Sequence, residues 1–398
     1  MKPTDWRCWC AVIALCAPVT PAVAQETRTA VIEAAQADKL AHTRPYTPNR
    51  AEEIAADIQK RLFGTPQGLY PWFDSVYSGG GFTLGAGYRS FVGDRTFVDV
   101  RGLYSVKSYK LIEVATDSPG HAHGHLDLRA SGGWRDATDV AYHGLSGDDV
   151  PDVDSSFRLR QTYAGAGFRV HGSGWTIADA GIRYEDYTAD PAHDDSPSVE
   201  QVHTTESAPG LGANPKYVRT TLLGGVDSRP AAGYARHGGL YALTYDNFAD
   251  VDGVYNFDLL QAEVVQHVPV LRENWVLSFH GVAKTTIDDD DTVPYFLLPS
   301  LGGGSTLRAY SSWRFRDRHS MLMQGEWRWT PSHLLIDAAI FVDAGKVTDR
   351  REDLNFDHLQ HDWGFGVRFH GPMATPLRIE FAHGSEGSNI VFSGAAAF

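Results

Sequence analysis

The sequence is poor in cysteine, and its three cysteines all lie near the start: Cys8, Cys10 and Cys16. Residues 1–24 are typical of a secretory signal, with Lys2 and Arg7 before a short apolar core and Ala22-Val23-Ala24 as a small-residue cleavage site. Removal of this signal leaves a chain without cysteine, which excludes a disulfide framework, thiol catalysis and cysteine-metal sites. We therefore expect an exported protein.

A basic excess and long apolar runs are also lacking. The chain has 35 Lys and Arg against 49 Asp and Glu, a net charge of -14. Loss of Lys2, Arg7 and Asp5 with the signal removes +1 and leaves -15. This acidic balance argues against nucleic acid as a partner. No run of about twenty apolar residues follows the signal, which excludes helical membrane spans.

Residues 25–68 have the periodicity of a helix. Thr47-Pro48 is a plausible helix start, and Glu52 and Glu53 follow where the helix dipole favours acids. Apolar residues then recur at four-residue spacing: Ile54, Ile58 and Leu62. We predict a short amphipathic helix, preceded by a weaker one at 30–40. A periplasmic cap or barrel-docked helix is the simpler role, and a plug or membrane-surface anchor is the alternative.

From 69 to 398 the period changes to two. Trp363, Phe365 and Val367, for example, alternate with Asp362 and Arg368. One apolar and one charged face, strand after strand, is typical of a transmembrane β-barrel with a wet interior. We predict an all-β membrane protein, a 16-stranded antiparallel transmembrane β-barrel. Its approximate strand cores are 70–79, 81–91, 95–106, 108–116, 123–136, 155–169, 174–187, 216–227, 236–249, 254–268, 274–287, 318–330, 332–346, 361–370, 375–383 and 388–398.

Connection lengths support this prediction. Connections after even-numbered strands include short turns at 92–94, 171–173, 330–332 and 371–373, whereas long polar loops after odd-numbered strands include 137–154, 188–215, 288–317 and 347–360. Short turns on one side and long loops on the other are typical of an outer-membrane barrel. Segment 288–317 becomes the sixth long-side loop.

This sixth loop carries the most informative motif in the chain: Gly302, Gly303, Leu307, Arg308, Ala309 and Tyr310. The next two strands carry Glu326 and Asp343 at positions predicted to face inward, the second within Phe341-Val342-Asp343-Ala344-Gly345. The pattern resembles the Omp85 superfamily of outer-membrane barrels (bacterial surface antigen D15, of the BamA and TamA type), whose sixth loop carries Arg-Gly-aromatic and whose partner strand carries Phe-x-Asp-x-Gly. Ala309 stands where the family has glycine.

The resemblance implies an ion-paired loop inside the barrel and a weak seam between the first and last strands. Arg308 should pair with Glu326 and Asp343 and so hold the loop in the lumen. The first strand, running from 73 into Gly79-Gly80-Gly81, should meet a last strand containing Gly394 at a weak seam, which the family is proposed to use as a lateral gate. Ordinary closure glycines are the alternative. Phe392 and Phe398 resemble the C-terminal β-signal read by the barrel assembly machinery.

Residues 25–68 are too few for a POTRA domain, so the resemblance implies a barrel-only member of the family in the Gram-negative outer membrane. We expect it to assist insertion or translocation of proteins or lipids, with outer-membrane lipid, lipopolysaccharide and client barrels as partners. The alternatives are a pore or structural barrel without insertase activity and, less favoured, a lipid hydrolase. The hydrolase would use His383 and Ser385 with Asn389, because a histidine base beside a serine suits ester hydrolysis.

Metal sites are weaker hypotheses. His121, His123 and His125 alternate in a short-side turn and could bind zinc or copper. Acidic groups in long loops could bind calcium, or bridge cations to lipopolysaccharide: Asp148, Asp149, Asp152, Asp154 and 288–291. A polar turn and solvated charges are the simpler interpretations. We expect no enzyme activity, no catalytic residue, no metal and no cofactor.

Overall fold

The computed structural model describes residues 67–398 except 73, 146–153, 193–195, 271–273, 288–292, 332–335, 372–374, 376 and 395–398. The predicted signal at 1–24 lies outside the described residues, as do the two predicted helices within 25–68. Gly68, which closes that segment in the prediction, is the first residue of a strand.

Sixteen strands form one antiparallel sheet in which each strand pairs with its neighbours along the chain. They are β1 (Gly68–Trp72), β2 (Thr83–Val92), β3 (Thr96–Ser105), β4 (Lys110–Gly120), β5 (Leu126–Tyr142), β6 (Ser155–His171), β7 (Thr176–Pro191), β8 (Lys216–Asp227), β9 (Gly238–Asp250), β10 (Phe257–Pro269), β11 (Trp275–Ile287), β14 (His319–Trp329), β15 (Ile336–Thr348), β16 (Gln360–Phe369), β17 (Leu377–Gly384) and β18 (Gly387–Ser393). The predicted sixteen-stranded antiparallel architecture is confirmed.

The remaining elements are short. β12 (Ser300–Leu301) and β13 (Phe315–Arg316) form a separate hairpin inside the connection from β11 to β14. One-turn helices α1 (His121–Gly124) and α2 (Val199–Val202) and 3-10 turns at Tyr295–Leu297 and Arg351–Asp353 lie in other connections. Within the described ranges, no helix is both long and apolar enough to cross a bilayer.

The two faces of the sheet differ in polarity as the alternating pattern predicts. In β16 the outward Trp363 and Phe365 are about half exposed, whereas the inward Asp362 and Arg368 are buried. The same inversion recurs on β15, where Ile340 and Val342 are exposed and Asp343 is buried. The apolar side chains therefore cover the outward face of the sheet, and charged side chains cover its inward face. The space on the inward side is here called the lumen.

The first strand is shorter than predicted, because it ends at Trp72 and not near 79. The chain at 74–82 leaves the sheet to pack on the long loop: Tyr77 stacks on Trp313 with ring centroids 4.9 Å apart, and Trp313 Nε1 donates to Ser78 O at 2.9 Å. Gly79 and Gly81 have φ of 88° and 72°, which a strand does not use. The prediction that the glycine triplet continues the first strand is wrong.

Four strands are longer than predicted: β4, β5, β6 and β7 have 11, 17, 17 and 16 residues. β5 and β7 gain residues at their long-loop ends. The residues added to β5 and β7 include the buried apolar side chains of Ala137, Val140, Tyr142 and Ala189. They form a buried cluster with Tyr295 and Phe296 of the sixth loop, and this burial favours the longer strands.

Candidate functional site: a buried arginine in the sixth loop

The loop between β11 and β14 folds into the lumen. Its glycines make the sharp entry turn: Gly302 and Gly303 have φ of 110° and 93°, and a Cβ on Gly302 would lie 2.3 Å from Ser311 O. Beyond the turn, apolar loop residues and inward wall residues form one buried cluster: Leu301, Leu307, Ala309, Tyr310, Leu322, Phe341, Val347 and Ala382. The segment that carries the motif is therefore packed inside the sheet.

Arg308 lies at the centre of this segment and is fully buried. Its Nε and Nη2 donate to the two carboxylate oxygens of Asp343 at 2.7 and 2.9 Å. Its Nη1 donates to both oxygens of Glu380 at 3.1 and 3.2 Å. The guanidinium also lies over the Phe341 ring, 3.5 Å from its centroid. This bidentate, doubly paired geometry compensates the cost of burying the charge.

Glu326 is a more distant partner than the resemblance implied. Its Oε2 lies 3.6 Å from Arg308 Nη1, beyond a hydrogen bond. The sheet register explains the distance, since Gln324 and not Glu326 stands opposite Asp343. Glu326 instead accepts two short hydrogen bonds from Arg368.

Glu380 was missed as a partner by the sequence reasoning. It alternates with Ile379 and Phe381, so its inward direction was readable from the pattern. Nothing in the pattern showed that the loop reaches as far as β17. Arg378 adds to the same network, because its Nη1 donates to Glu380 Oε2 and its Nη2 to Gly304 O, both at 2.8 Å.

One loop arginine, two inward arginines of the sheet and three inward carboxylates of the sheet therefore form one connected cluster: Arg308, Arg368, Arg378, Glu326, Asp343 and Glu380. Arg328 joins at its edge, 3.4 Å from Glu326. Removal of a single member of such a cluster leaves a buried charge without its partner, which is more costly than removal of a whole pair.

Neighbouring backbone contacts fix the rest of the motif. Ala309 N donates to Asp362 Oδ2 at 3.0 Å, and Asn389 Nδ2 donates to Arg308 O at 3.0 Å. Tyr310 is buried and its hydroxyl lies 2.9 Å from Ser385 Oγ. Ala309 is not among the residues with positive φ, so alanine fits where the resemblance led us to expect glycine.

The first half of the loop has its own anchor, which the sequence reasoning missed. Tyr295 and Phe296 are buried against the extended strands, with Tyr295 at 4.9 Å centroid distance from both Tyr142 and Phe157. Arg316 Nη1 donates to Tyr295 O at 2.7 Å and so joins this half to the returning half of the loop. One loop thus contacts β5 and β6 at one end and β15 and β17 at the other. The sheet must therefore curve around it.

The region between the first and last strands is open among the described residues. β1 and β18 are the two ends of the sheet, and no ladder joins them within the described chain. A cavity of about 610 Å³ lies here, lined by 74–83, by Gly303 and Gly304 of the loop, and by Val391 and Gly394. Gly80 approaches Tyr109 so closely that a Cβ would lie 2.6 Å from its ring. Phe392 is an outward residue of β18, and Phe398 lies outside the described residues.

The residues considered for ester hydrolysis do not converge. His383 Nδ1 lies 2.8 Å from Ser388 Oγ on the exposed face, whereas Ser385 Oγ bonds Tyr310 and Asn389 bonds the loop backbone. Asn389 therefore serves the Arg308 segment.

The metal hypotheses gain no support from the described part of the chain, which contains no cluster of metal-ligating side chains. His121 Nε2 lies 2.8 Å from Ser118 Oγ, and His125 Nδ1 lies 2.7 Å from His171 O, so the histidines point to separate partners. Asp154 lies 2.8 Å from His143 Nδ1. The remaining acidic groups at 148–152 and 288–291 lie outside the described residues.

Among solved structures, the chain is similar to BamA from Haemophilus ducreyi lacking POTRA domains 1–3. The TM-score is 0.60 with 11% sequence identity, over 84% of this chain and 70% of that one. At this identity the similarity shows a fold like that of the BamA barrel and no more. Neither models of protein families nor curated protein sequences give a match.

Proposed function

We propose that this protein is an outer-membrane barrel of the Omp85 type that assists the insertion or translocation of proteins or lipids. The BamA-like fold supports a location in the Gram-negative outer membrane, because outward bands of Trp, Phe and Val suit contact with lipid. Lipopolysaccharide and phospholipid would be its surroundings, and unfolded barrels or lipids its clients.

The observation that carries the proposal is the open region beside the last strand. β1 has only five residues, and the chain then leaves the sheet at 74–82, so among the described residues β18 faces a cavity of about 610 Å³ instead of a full-length partner. An unpaired strand edge in a membrane needs a partner, since lipid cannot satisfy backbone N–H and C=O groups. A client strand would supply these hydrogen bonds by adding to the edge.

The sixth loop would control this region. Its Trp313 contacts the 74–82 segment, and its Gly304 packs on Val391 of β18, where a Cβ would come within 2.6 Å. The Arg308 cluster fixes the same loop to β15 and β17. Release or retention of the loop would therefore decide how far the cavity opens.

A reversible crosslink tests the proposal. Ser78 and Ser312 flank the same point, since a Cβ on Gly303 would lie 3.0 and 2.7 Å from their hydroxyls. The Ser78→Cys, Ser312→Cys variant should stop client folding or lipid movement in reconstituted vesicles when oxidised and restore it when reduced. Wild-type mature protein, which lacks cysteine, is the control for the oxidant.

Two outcomes would contradict the proposal. The first is a reconstituted wild-type protein that promotes neither the folding of an urea-unfolded barrel client nor the movement of a fluorescent phospholipid. The second is a steady, large conductance of the wild-type protein in planar bilayers, which would instead indicate a pore. Photocrosslinkers at Ser78 and Ser393 would identify clients at the opening.

A further inference from the structure

The connection between β8 and β9, residues 228–237, is longer than two adjacent antiparallel strands require. Two contacts fix the base of this connection: Ser228 N donates to Gly239 O at 2.8 Å, and Arg229 pairs with Asp227 at 3.0 Å. Farther along the connection, the side chains of Ala231, Tyr234 and Ala235 are buried. A turn that only reverses the chain direction does not require a buried tyrosine, so this connection has a further structural role. We call residues 228–237 the strap.

Tyr234, at the tip of the strap, contacts inward residues on or next to strands that are distant in the sheet. Its ring stacks on His370, with centroids 4.1 Å apart and planes 7° apart. Its hydroxyl lies 3.3 Å from both Asp337 Oδ1 and His370 Nε2. The Arg328 guanidinium lies over the Tyr234 ring, 5.8 Å from its centroid. An aromatic ring buried with its hydroxyl satisfied is a specific docking contact.

The strap backbone is bonded to the wall as well. Thr375 Oγ1 donates to Gly233 O at 3.2 Å, and Arg328 Nη2 donates to Ala235 O at 2.7 Å. The same Arg328 nitrogen donates to Ser278 Oγ at 2.9 Å. Ser278, on β11, is fully buried beneath these contacts.

These contacts place the strap across the lumen. β9 and β15 are separated in the sheet by β10, β11 and β14. Asp337 is the second residue of β15, and His370 follows the last residue of β16, so both lie at the short-turn end. A connection that starts at β8 and β9 reaches them across the inward side of the sheet, past β10, β11 and β14.

We propose that the strap is a closure of the lumen at its short-turn end, joined to the Arg308 cluster through Arg328, which bonds Ala235 O and lies 3.4 Å from Glu326. Anything that enters or leaves the lumen at this end must displace Tyr234 from His370. The tip contacts the other strands through hydrogen bonds, ring stacking and a cation–π contact, so its displacement breaks no covalent bond and no strand pairing. This closure goes beyond the proposed role in insertion and holds whether or not clients are found.

Cysteine accessibility tests the strap on the whole mature protein, which has no cysteine of its own. Ser278→Cys places a thiol beneath the strap, and Ser173→Cys places one in an exposed short turn as the reference. A small charged thiol reagent should modify Ser278→Cys far more slowly than Ser173→Cys. Tyr234→Ala should speed modification of Ser278→Cys by at least about tenfold, because the strap loses its buried ring.

Tyr241→Ala is the matched control, since Tyr241 is an exposed tyrosine on β9. It should leave the rate of Ser278→Cys modification unchanged. Equal rates at 278 and 173 in the presence of Tyr234 would overturn the proposal without any need for the Tyr234→Ala variant to fold. Equal acceleration by Tyr234→Ala and Tyr241→Ala would overturn it too.

Discussion

Arg308 and Glu380 are 72 positions apart in the chain, yet the arginine Nη1 donates to both oxygens of the glutamate at 3.1 and 3.2 Å. Glu380 lies on β17, which pairs directly with the last strand β18. The loop is therefore tethered beside the open region as well as to Asp343 on β15. The Arg308–Glu380 pair thus connects the sixth loop to the strand beside β18. We therefore expect a change in the loop to alter the stability of this edge of the sheet, and the reverse.

Replacement of Arg308 by alanine should release the loop. The change leaves the buried Asp343 without its arginine and removes one of the three arginines that pair with Glu380, which costs about 3–5 kcal/mol of stability. We expect a lower temperature for loss of the folded electrophoretic mobility, and faster proteolysis within 301–316. Arg314→Ala is the matched control: Arg314 lies in the same loop, but its partner Glu386 is partly exposed, and such pairs contribute about 0–1 kcal/mol.

Glu380 should act as a unit with Arg308. The losses from Arg308→Ala and Glu380→Ala should be strongly non-additive, with a coupling of about 0.5–3 kcal/mol in a double-mutant cycle. Arg308→Ala with Glu326→Ala should show a smaller coupling, because those groups are 3.6 Å apart without a hydrogen bond. A larger coupling to Glu326 than to Glu380 would contradict the geometry.

Ala309 of the loop and Gly384 of β17 should both have to be small for the loop to pack against this strand. A Cβ on Gly384 would lie 3.1 Å from Ala309 Cβ and 3.2 Å from the Tyr310 ring. Gly384→Val should therefore destabilise the docked loop by about 1–3 kcal/mol through overpacking. Ala309→Gly should restore part of this loss in the double variant. The control is Gly224→Val on β8, where a Cβ meets nothing within 4 Å, and equal losses at both sites would contradict the pairing.

The sequence predicted the strands well and the long-range contacts poorly, for a physical reason. Alternation of apolar and charged residues reports which face a side chain occupies, so it identified Asp343 as an inward residue. It carries no information on which inward groups meet across the lumen. The register of β14 against β15 moves Glu326 away from Arg308, and a register cannot be read from alternation in either strand alone.

Tyr234 in the strap and Tyr295 in the loop were not predicted to be buried, for a second reason. Both lie in irregular segments without a hydrophobic period, where the sequence does not distinguish a buried aromatic residue from an exposed one. The extra length of 228–237, compared with the other short-side turns, was the available signal. The prediction for Gly79-Gly80-Gly81 failed for a different reason. The positive φ values of Gly79 and Gly81 belong to a turn, whereas the prediction placed these glycines in a strand.

Tyr295 should anchor the first half of the loop independently of Arg308. Its ring is fully buried between Tyr142 and Phe157, so Tyr295→Ala should cost about 3–5 kcal/mol, as for other buried aromatic residues. Hydrogen exchange should rise at 293–298 and much less at 305–310. Phe356→Ala is the control, because Phe356 is 74% exposed and should change neither stability nor exchange. Equal exchange in both halves would show that the loop has a single anchor.

Asp317 should give the loop a pH-dependent stability. It lies between β13 and β14 with 2% exposure, and burial raises its pKa to about 7, with a further contribution from the Asp349 carboxylate. The N–H of Arg318, which donates to Asp317 Oδ1 at 2.8 Å, acts in the opposite direction on the pKa. The protonated acid is therefore the form that the folded loop favours.

The sign of the effect follows from proton uptake. Between pH of about 4 and 7 the folded protein holds a proton on Asp317 that the unfolded chain has released, so stability falls as pH rises through this range and then levels off. Asp317→Asn keeps an oxygen that accepts from the N–H of Arg318 but does not titrate. Urea unfolding of the reconstituted protein at pH 5 to 8 should show a decline for wild type that is absent or reduced in Asp317→Asn. The variant should gain stability relative to wild type at pH 8, and an identical pH dependence in both proteins would exclude Asp317 as its source.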